Sequence, residues 1–378
     1  MPAGLLTGAI LLGTRPNMTK TLKRIALATG VSVVALGATP AFATGTTAGT
    51  NIDNTARVDY QVGGVQQNFI NSNLNRIVVD RRIDLVVAEV ANLTTQVAPG
   101  SSAQVTTFTV RNTSNAPLDL GLAVTQQTGG TATHGGTDNF DVTAPSTFVD
   151  TNGNGTYDAG TDAAATFLDE LAADTQRTVF VVANIPLGRA NGDVADVTLT
   201  AQAFEAGTAA TQGALVTQTA GANTAGVDTV FADAAGVTVG DVASDGRHSD
   251  DDDYTVSAPV LTVTKQSRII SDPINNTTNP KAIPGALVEY CIVVANAATG
   301  AAATTVNIGD PLPTQTTYET AFGIFQNGTY TGTPDTGTCN LDGTAGGTFT
   351  AATSTVSGTL GTLAAGATRT LYFRVRIN

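Results

Sequence analysis

The chain has 378 residues, 18 Lys+Arg against 31 Asp+Glu, 13% charged residues, 40 Gly and no Trp. A chain this poor in charge and rich in Thr, Val, Ala and Gly excludes long helices and coiled coils. Its acidic balance excludes the basic surface that nucleic acid requires. At 42% hydrophobic it is too apolar for disorder and long enough for two domains.

Residues 1–43 read as a Sec-type signal peptide preceded by a mis-assigned start. Met18 opens it, Lys20, Lys23 and Arg24 form a basic region, Ile25 to Ala38 an apolar one, and Ala41-Phe42-Ala43 a small-residue cleavage site. An apolar run that short cannot cross a hydrocarbon layer of about 30 Å. Losing the four basic residues Arg15, Lys20, Lys23 and Arg24 takes the net charge from −13 to −17. The expectation is a secreted or surface-located product with no membrane span after signal removal.

Residues 44–82 form an N-terminal strand segment in which Ala56, Val58, Tyr60 and Val62 alternate with Arg57, Asp59 and Gln61. Short period-two runs then recur between Gly, Asn, Asp and Pro, which predicts an all-β chain of immunoglobulin-like sandwiches. The chain also repeats itself. Pro99-Gly100 precedes Phe108-Thr109-Val110-Arg111-Asn112 as Pro284-Gly285 precedes Ile292-Val293-Val294-Ala295-Asn296. Leu171, Arg177, Val179 and Val181 match Leu363, Arg369, Leu371 and Phe373. Two blocks in the same order imply duplicated sandwich modules, placed at 83–205 and 259–378. Between them, 206–258 reads as an Ala/Thr/Gly-rich insertion or linker ending in the acidic run Asp250–Asp253, expected to be solvated. His248 reads as a surface histidine, and His134 as a loop residue without an evident partner.

Asn54-Thr-Ala-Arg-Val58, Leu261-Thr-Val-Thr-Lys265, the run from Pro284 to Asn296 and Asp310-Pro-Leu-Pro313 together resemble the bacterial conserved-repeat-domain family. The resemblance covers 259–378 well and 44–205 more loosely. It implies an extracellular immunoglobulin-like sandwich in a structural or adhesive setting, and carries over no catalytic residues.

The loop from Asp150 to Asp162 places Asp150, Asn152, Asn154 and Asp158 at alternating oxygen positions, with Gly155 at the sharp turn and the Thr156 carbonyl following. Hard Ca²⁺ takes 6–8 oxygens in such a loop, and with Asp162 one residue late a weak site of about 10⁻⁴–10⁻³ M is expected. The plain alternative is an Asn-Gly turn between strands. Cys291 and Cys339 form either a disulfide, favoured in an oxidising compartment, or two buried thiols. With only two His and no G-x-S-x-G or H-E-x-x-H, catalysis is not expected.

One strand reads as out of place. Module one continues into Ala195-x-Val197-x-Leu199, whereas module two stops after its matching strand. Ala56-x-Val58-x-Tyr60 resembles the piece it lacks. The expected partner is therefore the chain itself, with residues 50–62 of one molecule completing module two of the next. The open alternatives are folding back within the chain, pairing with module one, or a module stable with one strand fewer. Other surface or matrix proteins are further candidate partners, and an adhesin or extracellular binding module is the second reading.

Overall fold

A computed structural model of the chain describes residues 45–333 and 336–378, so the signal segment lies outside the described residues. These contain no helix, and hence none long and apolar enough to cross a membrane. The fold is all-β.

The first sandwich is built from β1 (Leu85–Glu89), β2 (Thr95–Val97), β3 (Gln104–Asn112), β4 (Leu118–Gln126), β5 (Thr143–Val149), β6 (Phe167–Leu171), β7 (Gln176–Asn184), β8 (Val194–Glu205) and β9 (Arg247–Val256). One sheet runs β5-β7-β3-β1, edged by Ala163–Ala164, and the other β6-β4-β8-β9-β2. Alternation explains the layering: Thr106, Phe108, Val110 and Asn112 of β3 are buried and their neighbours are not. Ala195, Val197, Leu199, Ala201 and Ala203 of β8 face the same core. Tyr254 crosses it, its hydroxyl donating to the Val181 carbonyl at 3.1 Å.

The second sandwich comprises β10 (Leu261–Ser271), β11 (Leu287–Asn296), β12 (Ala303–Pro311), β13 (Ile324–Gly328), β14 (Thr355–Leu363) and β15 (Thr368–Ile377). One sheet runs β10-β11-β15-β13, and in the other β14 lies between β12 and Thr348–Thr350. The duplication extends to hydrogen bonds. Phe108 pairs with Val179 as Ile292 pairs with Leu371. The Asn112 amide donates to the carbonyls of Ala116 and Leu171, and the Asn296 amide to those of Ala301 and Leu363. Cys291 of β11 is disulfide-bonded to Cys339.

Two expectations need correction. The segment 206–258 is not a linker: Arg247–Val256 is a strand of the first sandwich, with Asp250–Asp253 opposite Leu199, Thr198, Val197 and Asp196. Val216 enters the first core, and Thr229–Phe231 pairs in parallel with Arg81–Ile83. Carboxylates replace strand pairing in this Ala/Thr/Gly-rich stretch. Asp233, for example, accepts the amides of Asp245 and Gly246 at 3.1 and 3.0 Å. Likewise His248 is no bare surface histidine, since its Nδ1 accepts the Val87 amide at 3.2 Å.

Candidate functional site

Equivalent positions in the two sandwiches meet different surroundings. Leu85 lies opposite Asn112, and Leu261 opposite Asn296; Val87 lies opposite Val110, and Val263 opposite Val294. Leu85 and Val87 are 0% and 1% exposed, beneath β8 and β9. Leu261 and Val263 are 42% and 65% exposed. The difference lies in the second sheet. There β12 stands where β4 stands, but pairs with no counterpart of β8, β9 or β2 among the described residues. The outer edge of β1 is also closed by side chains, because the Val87 and Glu89 amides donate to His248 Nδ1 and Asp250 Oδ2. Among the described residues the outer edge of β10 meets no strand. At one end of this open face Lys265 reaches across the sandwich to Asp310, with an Oδ2 separation of 2.6 Å.

Residues 51–78 form an antiparallel hairpin around Gly63-Gly64, both at positive φ. Its ladder pairs Asn51–Asn54 with Asn75–Val78, Arg57–Val58 with Ile70–Asn71, and Gln61–Val62 with Val65–Gln66. The paired apolar residues Ile52 and Ile77, Val58 and Ile70, and Val62 and Val65 are each at least half exposed. Directly paired side chains share a face, and a period of two aligns Ile52, Val58 and Val62. The hairpin therefore presents an uncovered apolar face. Of the residues expected to donate a strand, Val58 pairs with Ile70, the Ala56 amide donates to Ser72 Oγ at 2.9 Å, and the Tyr60 carbonyl accepts the Gln67 amide at 3.0 Å. The segment expected to donate a strand folds back within the chain as one arm of a hairpin.

The loop from Asp150 to Asp162 joins β5 to Ala163–Ala164 and winds around its own carboxylates. Asp150 accepts the amides of Gly153 and Gly155, and Asp162 those of Thr151 and Asp158. The side-chain amides of Asn152 and Asn154 donate to Asp158 at 2.9 and 2.7 Å, holding its carboxyl below the usual range. Asn154 Oδ1 accepts the Thr156 amide. The donor set is all oxygen, as Ca²⁺ requires, and each carboxylate keeps lone pairs beyond its amide contacts.

The sequence reading missed the return strand of the hairpin, the exposure of Leu261 and Val263, and a cluster of Glu89, His134, Asp252 and Asp253. A signal for the last was present, because Asp252, Tyr254 and Val256 keep a strand period through the acidic run.

No family model matches the chain, and no curated protein does. Among solved structures, the C-terminal domain of the Streptococcus agalactiae AgI/II polypeptide BspA aligns at 9% identity over 78% of this chain and 91% of that one, with a TM-score of 0.33. A protein described as membrane-anchored from Corynebacterium diphtheriae aligns at 10% identity over 87% and 89%, with a TM-score of 0.19. The secreted serine protease VesC of Vibrio cholerae aligns at 12% identity over 78% and 47%, with a TM-score of 0.21. Scores this low carry no functional argument; what is established is the class, an all-β protein.

Proposed function

We propose that the chain is an exported, non-catalytic structural protein of the cell surface or its matrix that assembles with copies of itself. In this reading the hairpin at 51–78 of one copy covers the open face of the second sandwich of the next. The supporting observation is the pair of uncovered apolar surfaces on one chain. Leu261 and Val263 are exposed where their repeats are buried, and the hairpin exposes Ile52, Val58, Val62, Val65, Ile70 and Ile77. Contiguous apolar patches of this kind mark association surfaces. The edges of β10 and β12, unpaired among the described residues, allow backbone pairing to supplement side-chain burial. Ca²⁺ bound by Asp150, Asn152, Asn154, Thr156, Asp158 and Asp162 would stiffen the first sandwich.

The test is sedimentation velocity and electron microscopy of the chain from residue 44, across a wide concentration range. Val263→Asp should remove the acceptor and Val58→Asp the donor; both sites are exposed, so folding should survive. Each variant alone should stay monomeric, and an equimolar mixture should form a dimer through the one intact pair of surfaces. A wild type that stays monomeric throughout, or variants that assemble as well as it does, would overturn the reading.

A further inference from the structure

The loop between β4 and β5 folds back over β9. Gly135 and Gly136 turn it at positive φ, and a Cβ on Gly136 would meet Val194 Cγ2 at 2.8 Å, so only glycine allows this approach. The Thr133 amide donates to Asp196 Oδ2 and the His134 amide to Asp253 Oδ2, both at 2.9 Å. These bonds lay the His134 ring among acidic groups from two other elements. Nε2 is 3.2 Å from Glu89 Oε2 of β1, and Nδ1 is 3.2 Å from Asp253 Oδ2 and 3.9 Å from Asp252 Oδ1 of β9. Ligating atoms of Glu89, His134 and Asp252 all lie within 4.8 Å of one another.

The centre is buried and short of positive charge. Asp253 is wholly buried, Asp252 nearly so, and Asp196 adjoins them. Among the described residues Asp253 Oδ1 and His134 Nδ1 have no hydrogen-bond partner. Buried charges are ordinarily paired or bound to metal. A divalent cation would pair with several of these carboxyl groups at once.

We propose that Glu89, His134 and Asp252, backed by Asp253, form a buried site for a divalent transition-metal ion of the Zn²⁺ or Mn²⁺ kind. The donor set sets the class. Imidazole suits Zn²⁺ and its neighbours and carboxylate suits Mn²⁺ as well, whereas Ca²⁺ sites are built from oxygen alone. Such an ion would pin the 131–137 loop and β1 to β9, closing the first sandwich on the side where the second stays open. The site is independent of the Asp150–Asp162 loop and of the assembly surfaces.

The probe is the chelator-stripped chain from residue 44, titrated calorimetrically with ZnCl₂, MnCl₂ and CaCl₂, with melting followed by circular dichroism. One equivalent of Zn²⁺ or Mn²⁺ should bind and raise the melting temperature by at least ~5 °C at saturating metal. Asp252→Asn and His134→Gln should each weaken binding by ~100-fold or more while the metal-free variants remain folded. Asp252→Asn is isosteric and keeps an oxygen for the Asp253 amide, so its metal-free form should melt close to the metal-free wild type. Asp150→Asn should leave Zn²⁺ binding intact. Binding of neither ion by the wild type, or undiminished binding by a folded Asp252→Asn, would overturn the proposal.

Discussion

Leu85 and Leu261 occupy the same position in a duplicated hydrogen-bond register, yet only Leu85 lies in a core. Leu85→Ala should therefore cost ~3 kcal/mol of stability, by lost transfer energy and a cavity. Leu261→Ala should cost less than ~1 kcal/mol in the monomer, as surface changes do. Urea denaturation of both variants checks this, and equal losses would show that the second sandwich is covered after all. The repeat was legible in the sequence because inward side chains carry it, with Val179 and Leu371 sitting opposite Phe108 and Ile292. The acidic strand was not. Asp250 is occupied by the Glu89 amide and Asp253 by the His134 amide, donors distant in sequence that no local pattern announces.

Among elements, β11 links the two faces of its sheet. Ile292 and Val294 enter inner clusters, while Cys291 and Val293 pack outside with Cys339 and Tyr372. The disulfide thus straps the short strand Thr338–Cys339 onto the outer face. In the chain-entropy model, closing a loop of 48-residue separation stabilises by ~4 kcal/mol. The double variant Cys291→Ser with Cys339→Ser should lose roughly that amount, with faster amide hydrogen exchange confined to the second sandwich. Exchange that rises equally in β3 and β7 would contradict it. The even cysteine count made this pairing readable. The hairpin was half readable: alternation placed its first strand, but its partner beyond Gly63-Gly64 mixes Gln, Asn and Phe and carries only a weak period.

For the whole molecule, the calcium reading makes a separate prediction. Addition of Ca²⁺ in the millimolar range should slow proteolysis of the Asp150–Asp162 loop, and Asp158→Asn should abolish that protection without altering disulfide formation. Protection unaffected by Asp158→Asn would leave the loop a plain turn.

The edge of β1, with His248 and Asp250 holding its amides, bears on the geometry of any polymer. An edge whose donors are already occupied cannot receive a foreign strand. Under the proposed assembly each copy would then offer one hairpin and one receptive sandwich, not two. In the proposed assembly, units with a single donor and a single acceptor would add only end to end, so the product would be an unbranched thread with unlike ends. An excess of isolated hairpin peptide would stop its growth at one of them.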